Sequence, residues 1–569
     1  MDRIFNLSQL HKNASSEDLK QGSFGIEWEG LRVRENGELS LSPHPEIFGN
    51  KLSNPYITTD FSESQIEIIT PTFDTIDEAF SFFSFMSDLV NSSLDDDEFL
   101  WFQSLPCILP DSSKIPIAKY KGRELAEESM EYRKGLAKKY GLRKQLISGI
   151  HFNFSFKEEL IEKLYENLDI SEIESSENSR MSYKEFKNRL YLKISRNYIR
   201  YVWLIIYLTG CSVAAHDTFT PECTKLMENS DNRGSVYSER GPSFRNASCG
   251  YKNLVHLYPN YHSVEEFAND VQSFIDEGHL SQAKELYTQI RLKPKDPRDV
   301  LLSLKEDGIK YVEIRTLDIN PFYKCGLIKR DMEFLHLFLI YCLIAEESDY
   351  ENWQEEAIYN EEITAEAAYD FSMKLIKDGE KISLEEWGLS ILDEIDDMCR
   401  TLGIGSRSLI DSMRQRIVDP SLTYGKGLIR LIKEEGYINS QIKLSKINKI
   451  TSKYLLENTD LLNDEKFKEY VPIAVIVGVV VNIMLVYGST WFATILEEYY
   501  EQEYKREIKF FDHKKIWLSF FWSVVIALTL ALAKFIEWRE LPFYLFVILG
   551  ASTFLYEAFL KKVGIKKDD

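Results

Sequence analysis

The sequence lacks the short motifs that identify several large enzyme classes. It contains no G-x-x-x-x-G-K-[ST] loop, no G-x-S-x-G segment and no H-E-x-x-H pair. The first absence points away from Walker-type ATPases, although it does not exclude ATP as a substrate. A dinucleotide-binding loop is not indicated either, because Gly403 and Gly405 form only a fragment of the glycine-rich pattern.

Cysteines are few, and basic residues are outnumbered by acidic ones. The seven cysteines are dispersed, odd in number and without a C-x-x-C spacing, which predicts no disulfide framework or zinc site and favours a reduced, cytosolic compartment. Lysine and arginine total 68 against 90 aspartate and glutamate, so the formal net charge of the 569 residues is −22. Nucleic acid is therefore not an expected partner, because it would favour a basic patch. The polar N-terminus predicts no signal peptide.

One strand near the start of the chain carries two carboxylates on one side. In residues 25–34 the side chains alternate between two faces, so Glu27 and Glu29 share one face while Ile26 and Trp28 share the other. By itself, this pattern is typical of a half-solvated strand with an acidic outer face. Two adjacent like charges repel, however, unless water or a cation screens them.

Three later strands carry similar polar stripes. They occupy residues 56–70, 147–156 and 309–317, and the side chains concerned are Gln65, Glu67, His151, Asn153, Glu313 and Arg315, with Asp60 just before the first stripe. If these stripes line one face of a sheet, the carboxylates cannot all ionise there without cations. Magnesium accepts carboxylate oxygens and usually accompanies phosphate. The residues therefore predict nucleotide phosphate chemistry on a magnesium-lined sheet, with Arg315 stabilising the transferred phosphoryl group.

The other elements decide the predicted fold class. Helices are indicated over about residues 123–140 and 183–209, throughout about residues 331–435, and after Asp74, which is the expected helix cap. Residues 231–251 are predicted to form a long loop. Because the strands do not alternate regularly with the helices, we predict an α+β fold with a largely antiparallel sheet and surrounding helices.

Five motifs, in order along the chain, resemble the glutamate–cysteine ligases (γ-glutamylcysteine synthetases) of proteobacterial type. They occupy residues 25–29, 57–63, 132–141, 147–155 and 311–322, residues 419–424 add a further match, and the resemblance extends to about residue 450. It implies a glutamine-synthetase-like fold, in which a curved sheet forms a funnel with helices outside. It also implies that ATP phosphorylates the γ-carboxylate of glutamate and that the amine of cysteine then displaces phosphate. This reaction is the first step of glutathione biosynthesis.

The resemblance also implies roles for individual residues. Ligands of magnesium, or alternatively manganese, are implied at Glu27, Glu29, Asp60, Glu67, His151 and Glu313. The residue that steadies the transferred phosphate is implied at Arg315, and nucleotide-binding residues are implied at Arg291 and Lys293. Substrate-binding positions are implied at Tyr132, Leu136, Gln145, Ile147, Asn153, Arg245, Tyr251 and Tyr287. Trp28 replaces a more usual charged residue but points to the opposite face, so we expect metal binding to survive.

The end of the chain is not explained by the family. Three apolar stretches at residues 471–493, 516–536 and 541–560 each have about the 20 residues that span a bilayer as a helix. We therefore predict transmembrane helices and a membrane-associated region over residues 471–569. A polar linker over residues 437–470 is expected to join it to a catalytic domain over residues 1–436, located in the cytoplasm.

The topology of these apolar stretches has two alternatives. Three full spans would place the basic segments 505–515 and 561–567 outside the membrane, against the positive-inside tendency. If the first stretch is instead re-entrant or interfacial, the other two form a hairpin and both basic segments stay inside. We favour the second arrangement, because the first stretch contains Pro472, Gly478 and Gly488.

Three functional hypotheses follow from the sequence. The first is a membrane-tethered glutamate–cysteine ligase whose partners are glutamate, cysteine, ATP and the lipid bilayer. The second is a related carboxylate–amine ligase that uses another amine. The third is a non-catalytic membrane-anchored module that keeps the fold as a binding platform, which the intact acidic set and Arg315 disfavour. The oligomeric state is left open.

Overall fold

A computed structural model describes residues 4–52, 54–120, 124–168, 181–457 and 515–532, together with residues 538, 541, 544, 545 and 548. The chain divides into two compact units. The larger consists of Met1–Pro43 and Tyr56–Lys453, and the smaller consists of His44–Pro55 and Tyr454–Asp569.

The described strands of the larger unit belong to three antiparallel sheets. In chain order they are β1 (Ser23–Arg34), β2 (Ile57–Thr58), β3 (Gln65–Ile69), β4 (Glu98–Trp101), β5 (Ile150–Ser155), β6 (Ala214–His216), β7 (Asn229–Ser230), β8 (Ser235–Tyr237), β9 (Ile290–Lys293), β10 (Tyr311–Leu317), β11 (Leu375–Lys377) and β12 (Glu380–Ile382). The main sheet has the order β2-β3-β1-β5-β10-β9, and β4 also pairs with β1. The order β6-β8-β7 forms a second sheet, and β11 and β12 form a two-stranded sheet.

Helices account for most of the remaining described residues. They are α1 (Leu7–Asn13), α2 (Ser16–Lys20), α3 (Ile76–Ser93), α4 (Glu124–Tyr140), α5 (Glu158–Glu166), α6 (Tyr183–Thr209), α7 (Pro221–Thr224), α8 (Val264–Asp276), α9 (Val300–Asp307), α10 (Lys329–Ile344), α11 (Trp353–Ala367), α12 (Leu384–Leu402), α13 (Arg407–Val418), α14 (Tyr424–Glu435), α15 (Tyr437–Glu457) and α16 (Lys515–Leu532). The predicted helix over residues 183–209 is confirmed as α6, and Ser182 caps it by accepting a hydrogen bond from the backbone N–H of Glu185.

One face of the main sheet is apolar and buried. It carries Ile26 and Trp28 of β1 and Phe154 of β5, all of which are almost completely inaccessible to solvent. Helices α3 and α6 pack on the sheet, and His336 of α10 lies edge-on to the ring of Phe24 with ring centroids 5.0 Å apart. Burial of these large side chains is favourable only on the side that the helices cover, and it fixes the direction of the polar side chains.

The register of the strands brings the polar stripes together on the other face. Glu27 is the cross-strand partner of His151, and Glu29 is the partner of Glu67. Glu313 of β10 lies opposite Asn153 on β5 and Arg291 on β9. The prediction of an α+β fold with an antiparallel sheet and one shared polar face is therefore confirmed.

Two local predictions are wrong. Thr75, not Asp74, caps α3, because its hydroxyl accepts from the backbone N–H of Glu78 while Asp74 forms an ion pair with Lys157. Cys223 of α7 and the later Cys249 form a disulfide, although no disulfide was expected.

The disulfide could not be read from cysteine spacing. Its two cysteines are 26 residues apart, and only the fold brings their Cα atoms to 5.2 Å. The other five cysteines are buried free thiols, at positions Cys107, Cys211, Cys325, Cys342 and Cys399.

Only part of the region predicted to be a linker and a membrane segment is described. Residues 437–457 form α15, whereas residues 458–470 and the predicted span over 471–493 lie outside the described residues. The division of the chain into a catalytic domain, a linker and a terminal region stays a prediction.

The predicted membrane location must be corrected. Helix α16 (Lys515–Leu532) overlaps the predicted span at residues 516–536, whose residues 533–536 lie outside the described residues. Of the predicted span at 541–560, the structure describes residues 541, 544, 545 and 548 alone. Across all residues that the structure describes, no helix is sufficiently long and apolar to cross a membrane. This finding overturns the membrane location.

Candidate active site

Glu27, His151 and Asn153 form the centre of the polar sheet face. They occupy adjacent strands, so their side chains project to the same side within hydrogen-bonding reach. Glu27 Oε2 lies 3.1 Å from His151 Nδ1, and Asn153 Nδ2 donates to Glu27 Oε1 at 2.9 Å. Both oxygens of the Glu27 carboxylate are therefore oriented by β5.

The imidazole of His151 is arranged as a neutral ligand. Burial, and secondly the nearby Arg315 guanidinium, lower the pKa of His151 to about 4. A neutral ring that donates its Nδ1 proton to Glu27 keeps the lone pair on Nε2. Nε2 is buried without a hydrogen-bond partner among the described residues, and it lies 3.6 Å from Glu29 Oε1. Two acceptor atoms that face each other in this way fit a bound cation.

Glu313 anchors the basic residues of the site. Arg315 Nη1 donates to Glu313 Oε1 at 2.8 Å, Lys293 pairs with the other carboxylate oxygen, and Arg291 Nη1 is 3.6 Å from Oε1. Burial would raise the pKa of Glu313, but these cations, with Lys293 first, hold it well below its usual range. Glu313 is therefore ionised and fixes the position of Arg315.

The ligand atoms of Glu27, His151 and Glu313 lie within 4.8 Å of one another. Two carboxylate oxygens and one imidazole nitrogen form a donor set suited to a divalent cation. Together with the unpaired Nε2 of His151, this arrangement fits the cation predicted from the sequence.

A second group of carboxylates lies beside this triad. Glu29 and Glu67 are direct cross-strand partners. Burial and then the charge of Asp60 raise the pKa of Glu29 to about 8, and the same two causes raise the pKa of Glu67 well above its usual value. Burial also raises the pKa of Asp60. These groups must either hold protons or face a cation, as predicted from their crowding on the strands.

Arg245 occupies a position that depends on a glycine. Its guanidinium lies against Gly149, where a Cβ atom would come 2.2 Å from Arg245 Nη2. Arg245 Nη1 donates to the backbone oxygen of Arg315 at 2.6 Å. The backbone before β5 and the backbone of β10 therefore hold Arg245 beside Arg315.

The predicted substrate-binding residues form two neighbouring groups. Tyr251 packs against Tyr287 with the rings tilted and their centroids 4.5 Å apart, and its hydroxyl lies 3.4 Å from Gln145 Oε1. Leu136 belongs to a buried cluster with Phe61 and Tyr140, against which Tyr132 and Tyr287 pack. Ile147 is buried just before β5. Because Tyr287 belongs to both groups, the structure brings these residues into one continuous surface.

Several residues of this region were missed by sequence reasoning. They line a cavity of about 100 Å³ together with Arg245, Tyr251, Tyr287 and Arg315, and the side chains most directly concerned are Asn246, Lys252, Gln289 and Glu361. Gln289 lies between two predicted positions, Tyr287 and Arg291. This neighbourhood was the only feature of the local sequence that could have indicated a role for Gln289 in the site. Glu361 lies on α11 and is distant in sequence from every predicted site residue.

The chain matches the protein-family model for glutamate–cysteine ligase over residues 7–281 and 258–365, more than half of its length. It belongs to the glutamate–cysteine ligase family. A glutamate–cysteine ligase of Clostridium acetobutylicum is 32% identical over 415 residues, covering 67% of this chain and 84% of the relative.

Other relatives of this chain are longer proteins that contain a second enzyme activity by name. The glutathione biosynthesis bifunctional protein GshAB of Clostridium perfringens is 39% identical over 449 residues, which are 77% of this chain and 56% of the relative. Its counterpart in Listeria monocytogenes is 38% identical over 433 residues, which are 75% of this chain and 54% of the relative. The chain thus spans about half the length of the bifunctional relatives it matches. These relatives do not support the predicted proteobacterial subtype.

A solved ligase structure shares the fold. The glutamate–cysteine ligase of Francisella tularensis in complex with AMP has a TM-score of 0.69 and 26% sequence identity to this family member. The match covers 79% of this chain and 91% of that chain.

Proposed function

We propose that the protein joins the γ-carboxylate of L-glutamate to the amine of L-cysteine at the expense of ATP. The products are γ-glutamylcysteine, ADP and phosphate, and the reaction begins glutathione biosynthesis. The observation that carries the proposal is the shared sheet face on which Glu27, His151 and Glu313 converge beside Arg315, in a chain that belongs to the glutamate–cysteine ligase family. The glutamine-synthetase-like form of the sheet is part of the same proposal.

The acidic residues would hold divalent cations. The proposed ligands are Glu27, Glu29, Asp60, Glu67, His151 and Glu313. Bound Mg²⁺, or Mn²⁺ in its place, would neutralise phosphate oxygens of ATP and of the γ-glutamyl phosphate. The protein supplies acceptor atoms in fixed positions: Glu27 is oriented by Asn153, and Glu313 by Arg315 and Lys293.

Arg315 is the proposed catalytic residue. Burial would lower its pKa, but the neighbouring Glu313 and Glu29 carboxylates raise it above its usual value, so the guanidinium stays charged. Its ion pair with Glu313 leaves other N–H groups of the fork for oxygens of the transferred phosphoryl group. Stabilisation of charge at that group is the main protein contribution expected in phosphoryl transfer.

The remaining roles follow the two groups of substrate-binding residues. We assign Tyr132, Leu136, Gln145, Ile147, Asn153 and Tyr287 to the surroundings of cysteine, and Arg245 and Tyr251 to substrate carboxylates. Arg291 and Lys293, next to Glu313, are assigned to the nucleotide. The AMP in the Francisella tularensis ligase supports a nucleotide site in this fold.

The chemical steps explain why these groups are needed together. A glutamate γ-oxygen attacks the γ-phosphorus of ATP, and ADP leaves. The neutral amine of cysteine then attacks the acyl carbon, the C–N bond forms, the C–O bond to phosphate breaks, and the amine loses a proton. The acyl phosphate is required because a free carboxylate is a poor electrophile.

An assay of ADP release tests the proposal. The protein is supplied with ATP, Mg²⁺ and glutamate, and the cysteine is replaced in turn by other amino acids and amines. Release that requires both glutamate and cysteine supports the proposed reaction. Release with a different amine alone would identify a related carboxylate–amine ligase, and no release with any amine would indicate a non-catalytic binding module.

A variant connects the activity with the site. We expect Glu27→Ala to abolish glutamate- and cysteine-dependent ADP release, because it removes a ligand from the centre of the polar face. Its circular dichroism spectrum should match that of the unaltered protein. A near-normal rate in this variant would contradict the metal-site assignment.

A further inference from the structure

The cavity beside Arg315 contains charges of both signs. Arg245, Lys252 and Arg315 line it, and so does the acidic residue Glu361 from α11. At about 100 Å³ it is several times the space needed by one water molecule, so the head group of an amino acid fits. An α-amino acid carries an α-carboxylate and an α-ammonium group, and the cavity offers a complementary partner for each.

Arg315 connects this cavity with the proposed metal site. The residue lines the cavity, while its Nη1 donates to Glu313 Oε1 at 2.8 Å and lies 3.5 Å from His151 Nδ1. A molecule whose head group lies in the cavity therefore reaches the metal ligands at its other end by passing Arg315. Glutamate, with a reacting carboxylate at the end of its side chain, has this form.

Glu361 is held so that one of its oxygens is fixed from two sides. Gln289 Nε2 donates to Glu361 Oε1 at 2.7 Å, and Lys252 Nζ is 2.8 Å from the same oxygen. Gln289 is itself fixed by Thr316, whose hydroxyl donates to Gln289 Oε1 at 2.8 Å, and by Asn246. Both contacts of Glu361 with Gln289 and Lys252 are made by Oε1, which leaves Oε2 for a ligand.

We propose that Glu361 determines specificity for glutamate by binding its α-ammonium group, while Arg245 binds the α-carboxylate. The inference rests on the proposed ligase function and adds a residue to it. In this arrangement the γ-carboxylate of glutamate points to Arg315 and the metal ligands.

The chemistry of the two amino-acid substrates identifies which of them lies here. The amine of cysteine must lose its proton to attack the acyl phosphate, and an adjacent carboxylate would favour the protonated form. The α-ammonium of glutamate takes no part in the reaction and can stay paired with Glu361 throughout. Glu361 keeps its contacts with Lys252 and Gln289 whichever acid is bound, but only an acid with an ammonium group gains a further contact with the carboxylate, so Glu361 favours such acids.

Glu361→Gln tests this assignment, because it keeps the shape of the side chain and removes the charge. We expect the KM for glutamate to rise about 10- to 100-fold, the range expected for a lost hydrogen bond between charged groups. The KM values for cysteine and ATP and the kcat should stay within about threefold, since Glu361 contacts neither the reacting atoms nor the other substrates. A change in all three KM values would overturn the proposal.

Glutarate, which is glutamate without its amino group, isolates the contact. It is measured as a substrate by ADP release with cysteine and, if it is not turned over, as a competitive inhibitor against glutamate. We expect Glu361→Gln to leave the affinity for glutarate unchanged or to increase it. Equal losses of affinity for glutamate and glutarate would show that the residue acts only through Lys252 and Gln289, and would overturn the proposal.

Glu362 provides a matched control. It pairs with the same lysine, at 2.9 Å from Lys252 Nζ, but does not line the cavity. Glu362→Gln should therefore leave the preference for glutamate over glutarate within about threefold of the unaltered protein. If Glu362→Gln reduces this preference as strongly as Glu361→Gln, the proposal fails. Failure of the ligase function is seen separately, as no glutamate-dependent ADP release by the unaltered protein.

Discussion

Arg315 makes contacts with three other residues of the site. It pairs with Glu313 on its own strand, approaches His151 on the neighbouring strand, and accepts a hydrogen bond at its backbone oxygen from Arg245. Because its guanidinium stays charged and points between the metal ligands and the cavity, it can act on phosphate oxygens during transfer. Its position, more than its charge alone, therefore distinguishes it from Arg291 and Lys293.

We expect Arg315→Ala to reduce kcat by at least about a thousandfold, as expected when an arginine that stabilises phosphoryl transfer is removed. Steady-state ADP release measures this, and circular dichroism checks the fold. Arg298→Ala is the control, because Arg298 is exposed and pairs with Asp296 away from the sheet face. A rate within tenfold of normal for Arg315→Ala would contradict the catalytic assignment.

His336 is a titratable residue that the proposed chemistry does not use. It lies in α10 against the rings of Phe24 and Phe154, and burial lowers its pKa from 6.5 to about 4. The unfolded chain therefore takes up the proton at a higher pH than the folded chain does. The neutral ring of His336 therefore contributes up to about 3 kcal/mol to the free energy of unfolding. This contribution is complete above about pH 6.5 and is lost as the pH falls to about 4.

The variant His336→Phe should lose this acid sensitivity. We expect its free energy of unfolding to fall less than that of the unaltered protein between about pH 7.5 and about pH 4.5. Urea unfolding at the two pH values measures the difference. If the free energy of unfolding of His336→Phe falls by as much as that of the unaltered protein, groups other than His336 cause the loss of stability in acid.

At the scale of elements, the loop after β8 carries the proposed substrate-binding residues Arg245 and Tyr251 and is fixed at several points. The disulfide to Cys223 holds Cys249, which lies between Arg245 and Tyr251. The backbone N–H of Tyr251 donates to the oxygen of Arg245 at 3.2 Å, and Lys252 pairs with Glu361 and Glu362 of α11. The position of Arg245 beside Arg315 thus depends on contacts outside the main sheet.

Loss of the disulfide should destabilise the protein and loosen this loop. Because the bond closes 26 residues, we expect Cys223→Ser/Cys249→Ser to lower the free energy of unfolding by up to about 3 kcal/mol, with a higher KM for glutamate. Thermal unfolding with and without dithiothreitol measures the effect. The reductant should lower the Tm of the unaltered protein and leave that of the double variant unchanged. If dithiothreitol lowers the Tm of both proteins equally, the destabilisation does not come from the Cys223–Cys249 disulfide.

The strands that form the site could be predicted from the sequence, whereas the cavity beside them could not. The alternation of Glu27 and Glu29 with Ile26 and Trp28 depends only on neighbouring residues and on one buried face, so local spacing was sufficient. The bond between Gln289 and Glu361 joins residues 72 positions apart on a strand end and a helix. No periodicity predicts such a contact. The Cys223–Cys249 pair was missed for the same reason.

At the scale of the whole molecule, family motifs predicted more than hydropathy did. The ordered motifs identified the family correctly, because each depends on several residues whose order is itself specific. Hydropathy predicted three membrane helices from apolar length alone. Apolar length counts residues without testing whether they form one helix, and among the described residues no helix is sufficiently long and apolar to cross a membrane.

The proposed catalysis should not require the end of the chain. The match to the Francisella tularensis ligase covers 79% of this chain and 91% of that chain. Nearly all of that ligase fold is therefore matched by part of this chain. Every residue assigned to the site lies within Met1–Pro43 or Tyr56–Lys453, which form the larger unit. Helix α15 continues to Glu457 and buries Tyr437 and Gln441, so a truncation should leave it whole.

We therefore expect a chain that ends after Glu457 to release ADP with a kcat and with KM values for glutamate, cysteine and ATP within about threefold of the full chain. The same assay compares the two proteins at equal concentration, and thermal unfolding confirms that the shorter one is folded. A chain that ends after Gly436 is the contrasting variant, because it lacks α15 and exposes the surface that buries Tyr437. It should unfold at a lower temperature. A folded Glu457 truncation without activity would show that the terminal region contributes to catalysis.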